Sequence, residues 1–357
     1  IFEFGGGHVD PNKAADPGLV FDSGFGDWLA FLKGQKLCCA TAASIPSLDA
    51  SDLNLASIAI GDLAGSQTVT RKATSVGSQS ETYTFSVTGL TGITVTPSTA
   101  AFTAAPGSTT SFSVSFLRTT AAIGTYQQGF ITWTGDKGHV VRMPVVIRPV
   151  SIAAPAEVSG TGGPLSWTVK SGYDGTLNAV ARGLVPATVS SFTLAQDPDA
   201  TFDPADPTGT YKKDVVVSPG GIFRAGIYED AITPTGTDID LYVYNGASLV
   251  GLSADGDSNE EVTLRHTGAT PLTLTVYVHG WSTNGPSAQV SLFDWVANAD
   301  AGNMTVSPAS TAVTTGSTVN YSATFSGLAA ATRYFGAVDY SNGTARIGQT
   351  YVSVRTP

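Results

Sequence analysis

Tyr83-Thr84-Phe85-Ser86-Val87 and Phe112-Ser113-Val114-Ser115-Phe116 alternate a large apolar residue with a hydroxyl residue. A period of two sends successive side chains to opposite faces, so each stretch predicts a strand with one apolar and one hydroxyl face. Around them, residues 82–117 carry no charge, yet the alternation with Ser, Thr and Gly excludes a membrane-spanning helix. Turn formers at Pro97, Pro106-Gly107, Gly124 and Gly135-Asp136 recur about every ten residues, the rhythm of a β-sandwich that runs to Val150.

The rest of the composition agrees. Charged residues make up 13% of the 357, against a usual ~25%, while Gly and Pro number 40 and 19. Few charges and many turn formers predict a mainly β chain. At about 150 residues per domain the length predicts two to three domains. A net charge of −10 argues against binding a phosphate backbone, so no nucleic acid is expected, and no membrane span. The adjacent Cys38 and Cys39 would close a strained ring, so no disulfide framework is expected. Because the chain opens Ile1-Phe2-Glu3-Phe4-Gly5, without Met or a leader pattern, a fragment or a processed product is expected.

Four segments follow, at 1–60, 61–150, 151–298 and 299–357. In the first, Trp28, Leu29, Phe31 and Leu32 at one-turn spacing predict a short helix capped by Asp27 or Asp22 and ended by Gly34. Residues 151–163 lack an apolar period and read as a linker. Beyond them, strands are expected at 165–169, 240–244, 261–264, 272–278 and 289–295, with 197–208, rich in Asp and Pro, as an exposed loop. Thr305-Val306-Ser307-Pro308 followed by Tyr321-Ser322 repeats Thr94-Val95-Thr96-Pro97 followed by Phe112-Ser113. The last segment is short for a domain, so it packs on, or lends strands to, the preceding one.

The candidate metal site is acidic. Asp238, Asp240, Asp255, Asp257 and Glu260, with Asn259 and Glu261 beside them, offer the hard oxygens that calcium takes, without an EF-hand pattern. Strand-entry hydrogen bonds for Asp238 and Asp240 and a turn at Asp255-Gly256-Asp257 are the structural alternative. No cofactor is otherwise expected. His139, His266 and His279 lack zinc spacing and read as solvated strand positions. His8, in a Gly-rich stretch with no nucleophile motif after it, reads as a loop-locking residue. Trp133 and Trp295 lie within strand patterns and read as core, whereas Trp281 is the candidate surface contact.

Gly5-Gly6-Gly7-His8-Val9-Asp10-Pro11 with Ala15-Asp16-Pro17-Gly18-Leu19-Val20-Phe21-Asp22 resembles the end of the catalytic domain of subtilisin-like serine peptidases, especially the plant-type branch. Asp27 to Leu32 resembles the helix that follows there. Asp52-Leu53-Asn54, Thr68-Val69-Thr70-Arg71 and Trp133 through His139-Val140-Val141-Arg142-Met143-Pro144 are similar to that family's fibronectin-III-like domain. Asp238-Ile239-Asp240-Leu241-Tyr242-Val243-Tyr244 resembles bacterial pre-peptidase C-terminal domains, which are jelly rolls. The resemblance implies tandem β-sandwiches, fibronectin-III-like then jelly-roll-like, after a short mixed α/β remnant of a catalytic domain. It implies a secreted protein and a parent that hydrolyses peptide bonds, with the parent's catalytic domain and its protein or peptide substrates as partners. In that family the Asp, His, Ser and oxyanion Asn precede the stretch at Gly5, and no nucleophile motif occurs here, so no catalytic residue is assigned and this chain alone is not expected to be an enzyme. The competing expectation is a free-standing extracellular β-sandwich binding or adhesion protein.

Overall fold

The computed structural model describes residues 1–35, 37–38 and 42–357. Strands dominate, as the alternation requires, and the chain divides into two compact units. The first comprises Ile1–Ala153 with Val169–Gly175 and Ala312–Val319; the second comprises Ala154–Thr168, Thr176–Thr311 and Asn320–Pro357.

The first unit is a two-sheet sandwich. One sheet runs Leu19–Val20, Ser66–Ser75, Thr109–Arg118, Ile93–Pro97; the other runs Ile58–Leu63, Val140–Pro149, Gln127–Gly135, Glu81–Gly89, Ala101–Ala104. Alternation does here what it predicts. Phe112, Val114 and Phe116 are buried, while hydroxyls on the other face pair across strands, Thr68 with Ser115 at 2.8 Å and Thr74 with Thr109 at 3.0 Å. Val87 departs from it: Tyr83 is buried, but Val87 is exposed where its strand leaves the core. Trp133 sits at the centre, fully buried, with the rings of Phe85, Phe102 and Phe112 around it at centroid distances of 4.8 to 5.2 Å.

The predicted helix spans Phe25–Gly34. Asp27 lies three residues inside it and accepts from the Gly24 backbone N–H at 2.8 Å, so it caps from within rather than as the first residue. A Cβ on Gly34 would lie 1.9 Å from the Leu48 carbonyl, which is why only glycine ends the helix there. Trp28 is exposed and Phe31 and Leu32 are half-buried. The adjacent cysteines depart from expectation, since Cys38 is disulfide-bonded; Cys39 lies outside the described residues. Among those residues no helix is long and apolar enough to cross a membrane.

In the second unit two sheets enclose one core. The first runs Thr188–Ala195, Ser287–Ala297, Ile222–Ile227, Glu260–Arg265, and the second Thr210–Val217, Leu272–Ser282, Asp238–Asn245, Ser248–Ser253. Phe223, Ile227, Leu241, Val243, Val276 and Leu292 meet between them. The Ile222–Ile227 strand is buried on both faces, because Ile222 and Trp295 also pack against Phe335 and Ala337. Those last two belong to Arg333–Ser341, which pairs with Gly175–Pro186 and Arg346–Arg355. The stretch expected as a linker contains a strand, Glu157–Gly160, parallel to Arg346–Arg355. Its polar residues hid it: Glu157 accepts from Arg224 rather than facing solvent as a linker residue would. Each copy of the internal repeat forms an antiparallel pair, Ile93–Pro97 with Thr109–Arg118 and Met304–Ser307 with Thr318–Phe325.

Removing the ring at the centre of the first sandwich should leave a cavity that its aromatic neighbours cannot close. Trp133→Ala is expected to cost about 3–5 kcal/mol, read as a lower urea midpoint at unchanged slope. A loss below ~1 kcal/mol would mean that the core is not organised on this residue.

Candidate functional site

The acidic candidates of the second unit fall into two groups. Asp255 and Asp257 lie in the loop that enters the Glu260–Arg265 strand, and carboxylate oxygens of Asp255, Asp257 and Glu260 lie within 4.8 Å of one another. Local geometry shapes this loop. Asp255 accepts from the Asp257 N–H at 3.2 Å, and Asp257 from the Asn259 N–H at 2.6 Å, two successive Asx turns. Ser258 clamps it to the neighbouring strand, pairing with Thr237 at 2.8 Å and accepting from the Ile239 N–H at 3.1 Å. Glu260 is buried and accepts from the Asp255 N–H at 2.9 Å and from the Ser253 hydroxyl.

Asp238 lies within electrostatic reach of Asp255 and Asp257. Its Oδ1 is buried without a hydrogen-bond partner, and burial, then Asp240, Asp255 and Asp257, hold its pKa above the ordinary value. Burial likewise raises Glu260. Oxygens that resist ionisation in each other's company are those a divalent cation would relieve.

Asp240 makes its hydrogen bonds elsewhere, although its charge reaches Asp238 and Glu260. It lies 3.5 Å from His279 Nδ1 and accepts from the Tyr242 hydroxyl at 3.2 Å, while His279 Nε2 lies 2.8 Å from Asp197. His279 is therefore not a solvated strand position: it is fully buried. Burial alone would lower its pKa, and the two carboxylates outweigh it, leaving His279 above and Asp197 below their ordinary values. Asp197, expected in an exposed loop, is 5% exposed and fastens that loop, and Phe202 from the same loop stacks on Tyr242 at 3.8 Å. Trp281 is 47% exposed, whereas Trp133, Trp167 and Trp295 are buried. His8 is exposed, and His266 is half-buried with Nε2 2.6 Å from the Thr270 carbonyl.

In the first unit the motif residues at 16–22 and 52–57 bind the sandwich. Asp52 accepts from the Thr70 N–H, and Asn54 donates to the Asp22 and Lys72 carbonyls and accepts from the Lys72 N–H, at 2.8 to 2.9 Å. Arg71, 2% exposed, donates to the Leu55, Ser57 and Thr70 carbonyls. Burial pulls its pKa down to about 10 against the opposing pull of Asp52.

Glu81, 3% exposed, gathers the Tyr83 hydroxyl, the Lys137 and His139 N–H groups and the His139 ring, which also reaches Asp16 at 3.1 Å. This histidine too departs from the solvated position expected of it, being half-buried. No local period marks either histidine, because its partners lie 39 to 123 positions away (139 − 16 = 123). Burial raises Glu81, but the hydrogen bonds it accepts prevail and lower its pKa; hydrogen bonds to Glu81 and Asp16 raise that of His139.

Residues 52–147 match the sequence pattern of the fibronectin type-III domain family. Over 153 residues, 41% of this chain, the sequence is 39% identical to subtilisin-like protease SBT2.5 and 37% identical to SBT2.6 of Arabidopsis thaliana. The chain spans about a fifth of the length of these curated relatives, 19% of each. The secreted serine protease VesC from Vibrio cholerae aligns with 68% of this chain and 50% of its own at 12% identity and a TM-score of 0.24. The pre-peptidase C-terminal domain of a Bacillus anthracis collagenase aligns with 39% and 95% at 12% identity and 0.15.

A pH test follows for the His139 tie. Its raised pKa contributes stability that is complete below the ordinary histidine value of about 6.5 and fades as pH rises through the folded-state value. The lowered pKa of Glu81 contributes above its ordinary 4.5 and fades as pH falls through its folded-state value. The stability gap between the wild type and His139→Phe should therefore be widest between about pH 4.5 and 6.5 and narrow on both sides. Urea unfolding at pH 3.5, 5.5 and 9 reads it, and an equal gap at all three removes the ionic account.

Proposed function

We propose, from the kinship with plant subtilisin-like proteases, that this chain is the non-catalytic C-terminal region of a secreted subtilisin-like serine endopeptidase. In this reading peptide bonds are hydrolysed by the catalytic domain of the same parent chain through a serine nucleophile. The present domains stabilise that domain and help engage protein or peptide substrates, with Trp281 as a surface contact. One observation carries the reading: the similarity to those proteases runs over 153 residues, beyond the fibronectin match at 52–147. Its support in the fold is the segment before that match, held to the sandwich by Asp16 with His139 and by the Leu19–Val20 strand with Ser66–Ser75. A catalytic domain continuous with residue 1 would be anchored through these ties.

The genomic sequence ahead of the Ile1 codon tests this directly. An open frame with a G-T-S-x-A nucleophile motif is expected, and a start codon or stop just before Ile1 removes the reading. In the parent, Asp16→Ala should lower the temperature of inactivation while leaving kcat/KM on a short peptide unchanged. A change in kcat/KM alone would place the segment in the cleft instead.

Calcium is proposed as a structural ligand of Asp255, Asp257 and Glu260, with Asp238 completing the oxygen set. The support is the convergence of three carboxylates, with the unpartnered buried oxygen of Asp238 within electrostatic reach of Asp255 and Asp257. The melting temperature should rise on replacing chelator with calcium, and Asp257→Asn should abolish the rise. An unchanged wild-type melt in both conditions overturns the proposal.

A further inference from the structure

The outer strand of the second unit's second sheet, Ser248–Ser253, has a sheet partner on one side only, Asp238–Asn245. Edge strands of soluble proteins are ordinarily blunted by charge, proline, a β-bulge or a covering element, and here the bulge at Val250 is the one such device in the strand itself. The strand reads Ser-Leu-Val-Gly-Leu-Ser, without charge or proline, and Leu249, Val250 and Leu252 are 47%, 39% and 53% exposed. It is also held in place. A Cβ on Gly251 would lie 2.3 Å from Val262 Cγ1, so the glycine lets the edge backbone settle directly onto the core. Ser253 further accepts from the Glu261 N–H at 3.2 Å and donates to Glu260. The strand's one irregularity is a register shift opposite Val243 and Tyr244.

An open edge of this kind offers unpaired backbone donors and acceptors to an added strand, with apolar side chains to grip alternate residues. Charge selects the strand. Exposed Asp255 and Asp257 follow directly after the edge, and the chain as a whole carries −10, which disfavours a second copy and favours a basic guest.

We propose that, when no calcium occupies the neighbouring carboxylates, the Ser248–Ser253 edge binds an extended polypeptide segment carrying a basic residue, which adds to the sheet as a further strand with its cation beside Asp255 and Asp257. The inference stands on this edge and does not require the protease reading.

The probe is a blocked heptapeptide of alternating valine and threonine with a central lysine, together with its glutamine counterpart, added to the full chain in chelator. Amide shift changes confined to residues 248–253 and their flanks are expected, with the lysine peptide binding at least threefold tighter. Asp255→Asn combined with Asp257→Asn should erase that preference while leaving the glutamine peptide's affinity as it was. Leu252→Lys, on an exposed position, should weaken the lysine peptide at least tenfold with an unchanged melt, and Leu252→Ser by less. Absence of binding at millimolar peptide, shifts elsewhere, or insensitivity to Leu252→Lys overturns the proposal. So does a dimer in sedimentation that Leu252→Lys dissociates, since the edge would then serve a second copy.

Discussion

Burying an ionised side chain is tolerable only where each of its hydrogen-bonding atoms is met, and that constraint decides which distant segments of this chain must touch. Glu81 draws together its own strand, the 137–139 turn and, through His139, the segment at Asp16. Arg224, 3% exposed on a strand buried on both faces, is met by Glu157, Glu261, Ser353 and Thr263, with the Phe335 ring 4.0 Å from its guanidinium. Asp339 does the same for Arg182 and Arg265. In a chain with 13% charged residues such ties are few enough that each one fixes a contact between elements. Losing one partner leaves the other charged and dry, a heavier penalty than the worth of the pair itself.

This explains what could be read in the sequence. A strand with one wet face announces itself through its own alternation, so the strand around Phe112 is visible without any partner. The Glu157–Gly160 strand is not, because it has neither length nor apolar alternation and exists through its pairing with Arg346–Arg355. Asp197 and His139 show the same limit for side chains. Both look like solvent residues by type and neighbourhood, yet a partner far along the chain buries Asp197 and half-buries His139.

The acidic candidates show where local spacing misleads. Asp238 and Asp240 are two residues apart, which strict alternation assigns to one face. A register shift falls between them, pairing Asp238 with Ser282 and Asp240 with His279. Asp240 is thereby committed to a histidine that also holds Asp197, while Asp238 keeps a buried oxygen unmatched toward Asp255 and Asp257. Three of the five expected carboxylates thus converge, a fourth, Asp238, is coupled by charge to two of them, and the fifth, Asp240, is engaged with the buried His279.

The motifs that carry the resemblance to subtilisin-like proteases prove to be about packing, which bears on what they can say of function. At Gly18, φ is +74°, and a Cβ would lie 2.6 Å from both His139 Cγ and the Tyr83 hydroxyl. Glycine is required there so that the chain can turn tightly enough to bring Asp16 onto His139. Asn54 and Arg71 spend their polar atoms on backbone groups of adjoining segments. Residues tied up in this way hold the seam between the leading segment and the sandwich. What these motif residues do in the fold is mechanical, and none of them performs chemistry on another molecule here.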